Sequence, residues 1–468
     1  MSRINTNISS LLAQHALGRA NSDLQTSLTR LSTGLRINSG KDDPAGLIAS
    51  EDLRRDITAI ETAISNSERA TQLIGTADSA LGEINKLLND VRGLVTEAAN
   101  EGALSNDQIA ANQLQIDSSL EAIDRIATVT TFQGRKLLDG NLDFTIDSVP
   151  ATIEDLVIEQ ANLGTLASIL VDVEITSAAT QAQLTVGSAA FDLADDVVIQ
   201  VAGADGSEVF AFASGATIGQ IVTAVNLVSD ATGVTATAAS GELQLDSSDY
   251  GTDAFVSVEV ISEGTSGLFT SNLSALRANG DDVAANVNGV MSSGEANTLS
   301  INTATLDLKI SVTEGSSTDF SFTIEGGGAV FQLGPEVVSN QQARIGLSNV
   351  NTGKLGGKSG KLYQLKSGQS AALRTDIKAA ADIVDETITK VALLRGRIGA
   401  FQRTTLQSNI VALQDTLANI TDAESRVRDA DFAKESASLT RSQILVQSTS
   451  QVLALANQNP QNVLALLG

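Results

Sequence analysis

The chain has 468 residues, 55 acidic against 30 basic side chains, a formal net charge of −25, one histidine and no cysteine. That balance excludes nucleic acid and anionic membrane surfaces as partners. Without cysteine there are no disulfides, thiolate nucleophiles or cysteine-based zinc sites. The length leaves room for about three or four domains.

No window approaches the roughly 18 apolar residues of a membrane span. The first residues hold neither an apolar stretch of signal-peptide length nor a small-residue cleavage site, so any export is expected to proceed without a cleaved secretory signal. Charge is unevenly spread. Residues 1–141 carry 18 acids against 13 bases and residues 361–468 carry 10 against 12, whereas residues 142–360 carry 27 against 5. Self-repulsion is thus concentrated in the middle, and the ends are nearly neutral and free to pack.

In chain order, apolar residues recur at heptad distances from the start: Ile4 to Leu11 with Ile8 between them, Leu17 to Leu24 to Leu31, and Leu28 to Leu35. Asp42-Asp43-Pro44 then supplies a helix cap followed by proline at the first helical position. Ile57, Ile60, Ile64, Ile74, Ala77, Leu81, Ile84, Leu88, Val91, Val95 and Ala98 follow in steps of three and four, with a polar lapse at Ser67 and Thr71. A helix from 44 to 99 would be roughly 80 Å long and could not cover its own stripe. Ser105-Asn106-Asp107 caps a third helix carrying Ile109, Ile116, Leu120, Ile123 and Ala127.

The middle alternates at period two in Val198–Val201, Glu208–Phe212, Phe255–Val260 and Leu306–Val312, between Gly, Ser, Asp and Asn turns, with one helix expected at Thr217–Asn226. After residue 370 the heptad pattern returns through Ile377, Val384, Val391, Leu394, Ile398, Phe401, Leu413, Leu417 and Ile420. A break is expected near Thr421-Asp422, then a last helix through Val427, Leu439, Val446 and Leu453, with Val463, Leu464 and Leu467 at its end. The fold class is therefore α+β and multidomain. Its N- and C-terminal helices form a coiled-coil or helical-bundle rod, and β-rich domains are inserted centrally. The expected partition is a coiled-coil segment at 1–42, helical rod with a β-hairpin at 43–176, a β-rich domain at 177–262 and a second at 263–327. The returning rod covers 328–427 and the closing coiled-coil segment 428–468.

Candidate chemistry is sparse. His15 falls one heptad after Ile8 and reads as a helix-face residue; no HExxH motif exists. Gly353-Lys-Leu-Gly-Gly-Lys358-Ser359 has three residues where a phosphate loop needs four, which leaves a glycine-rich turn. Asp195-Asp196 and Asp281-Asp282 lack EF-hand spacing and read as solvated turn acids, and the Arg395/Arg397 and Arg135/Lys136 pairs are too small to bind nucleic acid. No enzyme, metal or cofactor is expected.

The stretches Leu31–Leu47 and Thr131–Gly140, with Glu424–Glu435 and Ser448–Leu467, resemble the terminal regions of bacterial flagellins. Thr232–Thr237 and Ser247–Gly251, within 183–262, resemble the insert motif of some flagellins and filament-cap proteins. The resemblance implies a subunit of the extracellular flagellar filament, exported by the flagellar type III apparatus with a chaperone. It also implies polymerisation beneath a cap beyond the hook-junction proteins, through terminal segments that order into a coil. The assembly residues it implies are Ile4, Ile8, Leu11, Leu24, Leu28, Leu31, Leu35, Leu439, Val446, Leu453, Val463, Leu464 and Leu467. The family pattern read by a vertebrate flagellin receptor is met at Arg92 and Leu94, but Asp90 stands where an arginine is expected and Gln115 where a glutamate is. That departure implies weak recognition. The rival expectations are a hook–filament junction protein and a surface adhesin carried by the central insert.

Overall fold

The computed structural model describes residues 6–100, 102–164, 166–187, 193, 195–303 and 305–467, with side chains as far as 458. The helices are α1 (Ile8–Thr33), α2 (Pro44–Ala98), α3 (Asn106–Val129), α4 (Ile218–Asn226), α5 (Ser229–Thr232), α6 (Phe269–Asn272), α7 (Ile377–Ala400), α8 (Ser408–Arg428) and α9 (Phe432–Leu467). Local chemistry sets their starts. The Asp43 carboxylate accepts the Gly46 amide at 2.9 Å, with Pro44 at the first helical position. Ser105 and Gln108 form a reciprocal capping box on α3. By contact the chain divides into two compact units: Met1–Arg69 with Gln332–Val337 and Leu406–Gly468, and Ala70–Phe331 with Val338–Thr405.

In the second unit, α2 buries Ala70, Ile74, Ala77, Leu81, Ile84, Leu88, Val91, Val95 and Ala98, an unbroken alternation of three- and four-residue steps. α3 buries Ile109, Gln113, Ile116, Leu120, Ile123 and Ala127 in the same rhythm. Two ion pairs tie α7 to α2, Arg395–Asp78 at 2.9 Å and Arg92–Asp385 at 2.5 Å. Numbering rises along α2 as it falls along α7, so the helices are antiparallel. The buried Gln113 closes the third side: its amide donates to the Leu365 carbonyl at 2.8 Å and its oxygen accepts the Leu373 amide at 2.9 Å.

The stripe on α2 has no lapse at Ser67. That residue is fully buried on the heptad position and its hydroxyl donates to the Ala63 carbonyl at 2.9 Å. A back-bonded serine is satisfied and small, so it can occupy a close-packed seam. Ala70, not Thr71, takes the next position.

Two β-sandwiches follow, every pairing antiparallel. In the first, strands Val290–Met291, Ala284–Val287, Ile169–Ser177, Phe320–Gly327 and Phe144–Asp147 form one sheet. Ser293–Glu295, Thr298–Asn302, Leu306–Val312 and Ile153–Ala161 form the other, and the two close on a core that includes Val171, Val173, Leu308, Ile310, Phe322 and Ile324. The second sandwich lies wholly within one connection of the first. Its sheets are Gln181–Val186, Glu242–Tyr250 and Val234–Ala239, and Arg277–Asn279, Phe255–Glu263, Val197–Ala202 and Ser207–Phe212. With α4 they enclose Leu184, Ile199, Val201, Ile221, Val225 and Leu245. Strand pairing therefore groups residues by nesting and not by a linear cut at 262/263. Residues 263–280 close the second sandwich, and 284–327 pair back onto 144–177. A reading along the chain sees strand periodicity but not the partner of each strand.

The sandwiches meet at a tight crossing, where Thr180 and Asp281 form a β-bridge. A Cβ on Gly280 would lie 2.3 Å from the Thr180 carbonyl oxygen, so only glycine fits. Asp282 is a clamp and not a solvated turn acid. Its carboxylate accepts the Thr252 amide (3.0 Å), the Thr252 hydroxyl (2.7 Å) and the Ala296 amide (2.8 Å). Burial pushes its pKa up, but these hydrogen bonds outweigh burial and leave it lowered.

Candidate assembly interface

Within the first unit, α1 and α9 pair as an antiparallel coil. At one end the Asn7 amide donates to the Ala456 carbonyl at 2.8 Å and the Ser10 hydroxyl to Asn457 Oδ1 at 2.7 Å; at the other, Arg30 pairs with Glu435 at 3.8 Å. The covered face of α1 runs Ser10, Ala13, Leu17, Ala20, Leu24, Ser27 and Leu31, and that of α9 runs Glu435, Leu439, Ser442, Val446, Thr449, Leu453 and Ala456. Both are strict heptad seams. Ser10, Ala13, Ala20 and Ser27 are the buried positions on α1, so the helices approach closely over small side chains.

Large apolar side chains point the other way. Leu12 is 68% exposed and Leu455 67%, with Ile8, Leu11, Leu28, Ile444, Leu445 and Val452 also exposed. The expected assembly residues therefore fall in two classes. Leu24, Leu31, Leu439, Val446 and Leu453 lie in the internal seam, whereas Ile8, Leu11 and Leu28 face outward. Leu35 lies past the end of α1 and forms a β-bridge with Asp429. Ile4 lies outside the described residues, as do the side chains of Val463, Leu464 and Leu467. Leu12, Ile444, Leu445 and Leu455 also face outward and lie off the heptad spacings of the sequence. The signal for them is the doublets Leu11-Leu12 and Ile444-Leu445, which widen a stripe beyond what one partner can cover.

The turn after α1 locks onto the end of α8. Gly34 caps α1 at φ +73°, its carbonyl accepts the Ala430 amide at 2.9 Å, and the Arg36 amide donates to the Arg428 carbonyl at 2.7 Å. Asp42 organises the next turn; the Ser39 amide and hydroxyl lower its pKa against the opposing effect of burial. The N-terminal half of α2 runs antiparallel to α8, through Arg428–Glu51 at 2.9 Å and Asn409 to Ser67 at 3.4 Å. Along α8, Ile410, Leu413, Leu417 and Ile420 are only half-covered, and no residue of α8 is fully buried.

The helix break expected at Thr421-Asp422 falls instead at Asp429–Asp431, so Val427 belongs to α8. The Thr421 hydroxyl donates back to the Leu417 carbonyl at 2.7 Å and Asp422 pairs with Arg426 one turn on, so neither interrupts the helix. Asp431 is the capping residue, accepting the Ala433 and Lys434 amides.

Asp90 and Gln115 are exposed, Leu94 is half-buried, and the Arg92 guanidinium is held by Asp385 and by the Thr96 hydroxyl at 2.7 Å. The glycine-rich turn before Ser359 holds a carboxylate of its own chain: the Lys358 and Ser359 amides donate to Glu386 at 2.7 and 3.0 Å. A Cβ on Gly357 would lie 1.7 Å from that carboxylate. Its anion-binding geometry is thus occupied by a structural contact. His15 is exposed on α1. Among the described residues no group of His, Asp and Glu could hold a metal ion, and no helix is long and apolar enough to cross a membrane.

Paired terminal helices with uncovered apolar faces and a β-rich middle, without a catalytic or metal site among the described residues, define a structural subunit. Residues 4–143 match the bacterial flagellin N-terminal helical region, 381–467 the bacterial flagellin C-terminal helical region, and 198–249 the flagellin hook IN motif. The chain is 30% identical over 511 aligned residues to a flagellin of Salmonella typhimurium, covering 99% of each. It is 28% identical over 514 to a B-type flagellin of Pseudomonas aeruginosa, again covering 99% of each. Flagellar hook associated protein-3 of Legionella pneumophila overlays with a TM-score of 0.32 at 13% identity, over 81% of this chain and 98% of that one, which is too low to carry a reading. The chain belongs to the bacterial flagellin family, non-enzymatic proteins that self-polymerise into the extracellular flagellar filament of motile cells.

Proposed function

We propose that the outward apolar faces of α1 and α9 are the surfaces on which copies of this chain join in the filament. Residues 1–42 and 428–468 supply the inner coil, the helices within 43–129 and 377–427 the helical rod, and the two nested sandwiches within 144–327 the surface-facing part. The observation that supports this is the placement of Leu12 and Leu455, each about two-thirds exposed on a helix pair whose fully buried positions on α1 are all small. A face of that size left open on a soluble protein marks an interaction surface. Deleting Val452 to Gly468 is expected to abolish filaments while the sandwiches stay folded; normal filaments by electron microscopy would refute the assignment.

Family membership supports export through the flagellar type III apparatus with a chaperone, and growth beneath the cap beyond the hook-junction proteins. The absence of cysteine suits that passage, since no crosslink can form on the way. Recognition by the host flagellin receptor is weak in this reading. Asp90 reverses the charge of the expected arginine, Gln115 carries none, and Arg92 is engaged by Asp385. A reporter-cell assay in which purified monomer shows full potency would overturn it.

A further inference from the structure

We propose that a pocket between α7, the 348–355 loop and strand Leu306–Val312 is a second docking site between copies. It would receive an apolar side chain flanked by a carboxylate from a neighbouring chain. The inference rests on the self-assembly reading. The cavity measures about 110 Å³, and its lining includes the buried Val350 and Val391, with Leu393 standing 63% exposed beside them. Its walls also carry four cationic side chains against one carboxylate, Glu159, which lies near Arg397, and two of the four cations are committed. Lys390 is paired with Asp155 at 2.7 Å, and one Arg397 nitrogen donates to the Gly346 carbonyl at 2.8 Å.

The other two, Lys309 and Lys354, are exposed and have no carboxylate within ion-pair distance among the described residues. The buried Nε of Arg397 has no acceptor. Charge complementarity selects the occupant. Residues 142–360 hold 27 acids and 5 bases, and two of those bases are at this pocket. A second copy therefore presents mostly carboxylates here, and most other pairings of the two central regions repel.

The test uses the full chain. Lys309→Glu with Lys354→Glu is expected to raise the critical concentration for assembly about tenfold, the scale of losing an interfacial charge pair. Lys309→Arg with Lys354→Arg should leave it unchanged. The thermal melt of the dispersed monomer, read for each variant, separates assembly from folding. As a second route, p-benzoylphenylalanine in place of Leu393 should on irradiation give covalent dimers in filaments but not in monomer, joined to a peptide bearing Asp or Glu. An unchanged critical concentration in the charge-reversed variant, or crosslinks confined to one chain, overturns the proposal. So does saturable octanoate binding to the monomer that leaves assembly unaffected, which would make the pocket a small-molecule site. If the unaltered protein forms no filaments, the self-assembly reading has failed and not the pocket.

Discussion

Replacing Leu12 and Leu455 together by alanine separates the outward face of the terminal coil from its internal seam. Each side chain is about two-thirds exposed in the single chain, 68% and 67%. Full burial of a leucine contributes about 1.5–3 kcal/mol, so covering the exposed part during assembly is worth about 1–2 kcal/mol at each site. The pair thus supplies about 2–4 kcal/mol per added subunit, or about 30-fold to about 700-fold in critical concentration. Alanine is the strongest helix former, and neither leucine touches the seam, so the monomer's helices should be unaffected. Sedimentation across a concentration series measures the shift, and far-UV circular dichroism of dispersed monomer checks the fold. A critical concentration within about twofold of the unaltered protein, with filaments of normal appearance, would refute the assignment of this face to assembly.

Two further outcomes follow from the central region. Asp282 has a lowered pKa in the folded chain, so its contribution is present above the unfolded value near pH 4 and is lost as pH falls through the folded value. Asp282→Asn should cost about 1–2 kcal/mol at neutral pH, the lower part of the range for a half-buried charged acceptor, and should remove that acid-side slope. Equal pH slopes in thermal melts of both proteins would contradict the clamp. Residues 178–282, expressed alone, should melt cooperatively, because the second sandwich has its own core and the Thr180–Asp281 bridge joins its ends. Residues 263–327 should not, because strand Ala284–Val287 lacks its Ile169–Ser177 partner; a cooperative melt there would contradict the nesting.

What sequence reading recovers depends on how local the cause is. The α2 stripe, the Pro44 start, the Ser105 cap and α4 at Ile218–Asn226 all follow from neighbours within a turn or two, and all are legible in the chain. The nesting of one sandwich inside the other is not, because it rests on pairings such as Phe320 with Val173, far apart in sequence. Ser67 and Thr421 look like interruptions by residue type, yet each bonds back to its own helix, information carried by geometry alone. Asp282 and Glu386 were indistinguishable from other acids in an acidic chain until the fold brought backbone amides to them. At the assembly face the seam was legible as heptads. The outward face was legible only in part, through Ile8, Leu11 and Leu28, because the rest of its signal is the width of the stripe and not its period.

That width explains why the best hydrophobic pattern sits at the chain's two ends. On α1 the fully buried positions are Ser10, Ala13, Ala20 and Ser27, while the seam leucines Leu17, Leu24 and Leu31 stay partly exposed, so pairing with α9 covers only part of the apolar surface. The larger side chains, Leu11, Leu12, Ile444 and Leu455, are turned outward, where one chain cannot cover them. On the proposed reading, such a helix pair would gain further order from its neighbours, so that addition to the filament is expected to stabilise the ends. The near-neutral ends permit that packing, and the middle keeps nearly all of the net charge on residues 142–360. Moving leucines from the outer face into the seam, as in Ala20→Leu with Leu12→Ala, should therefore strengthen the pair within a chain and weaken the filament. Circular dichroism and sedimentation on the same sample read the two effects separately, and a change of both in the same direction would break the argument.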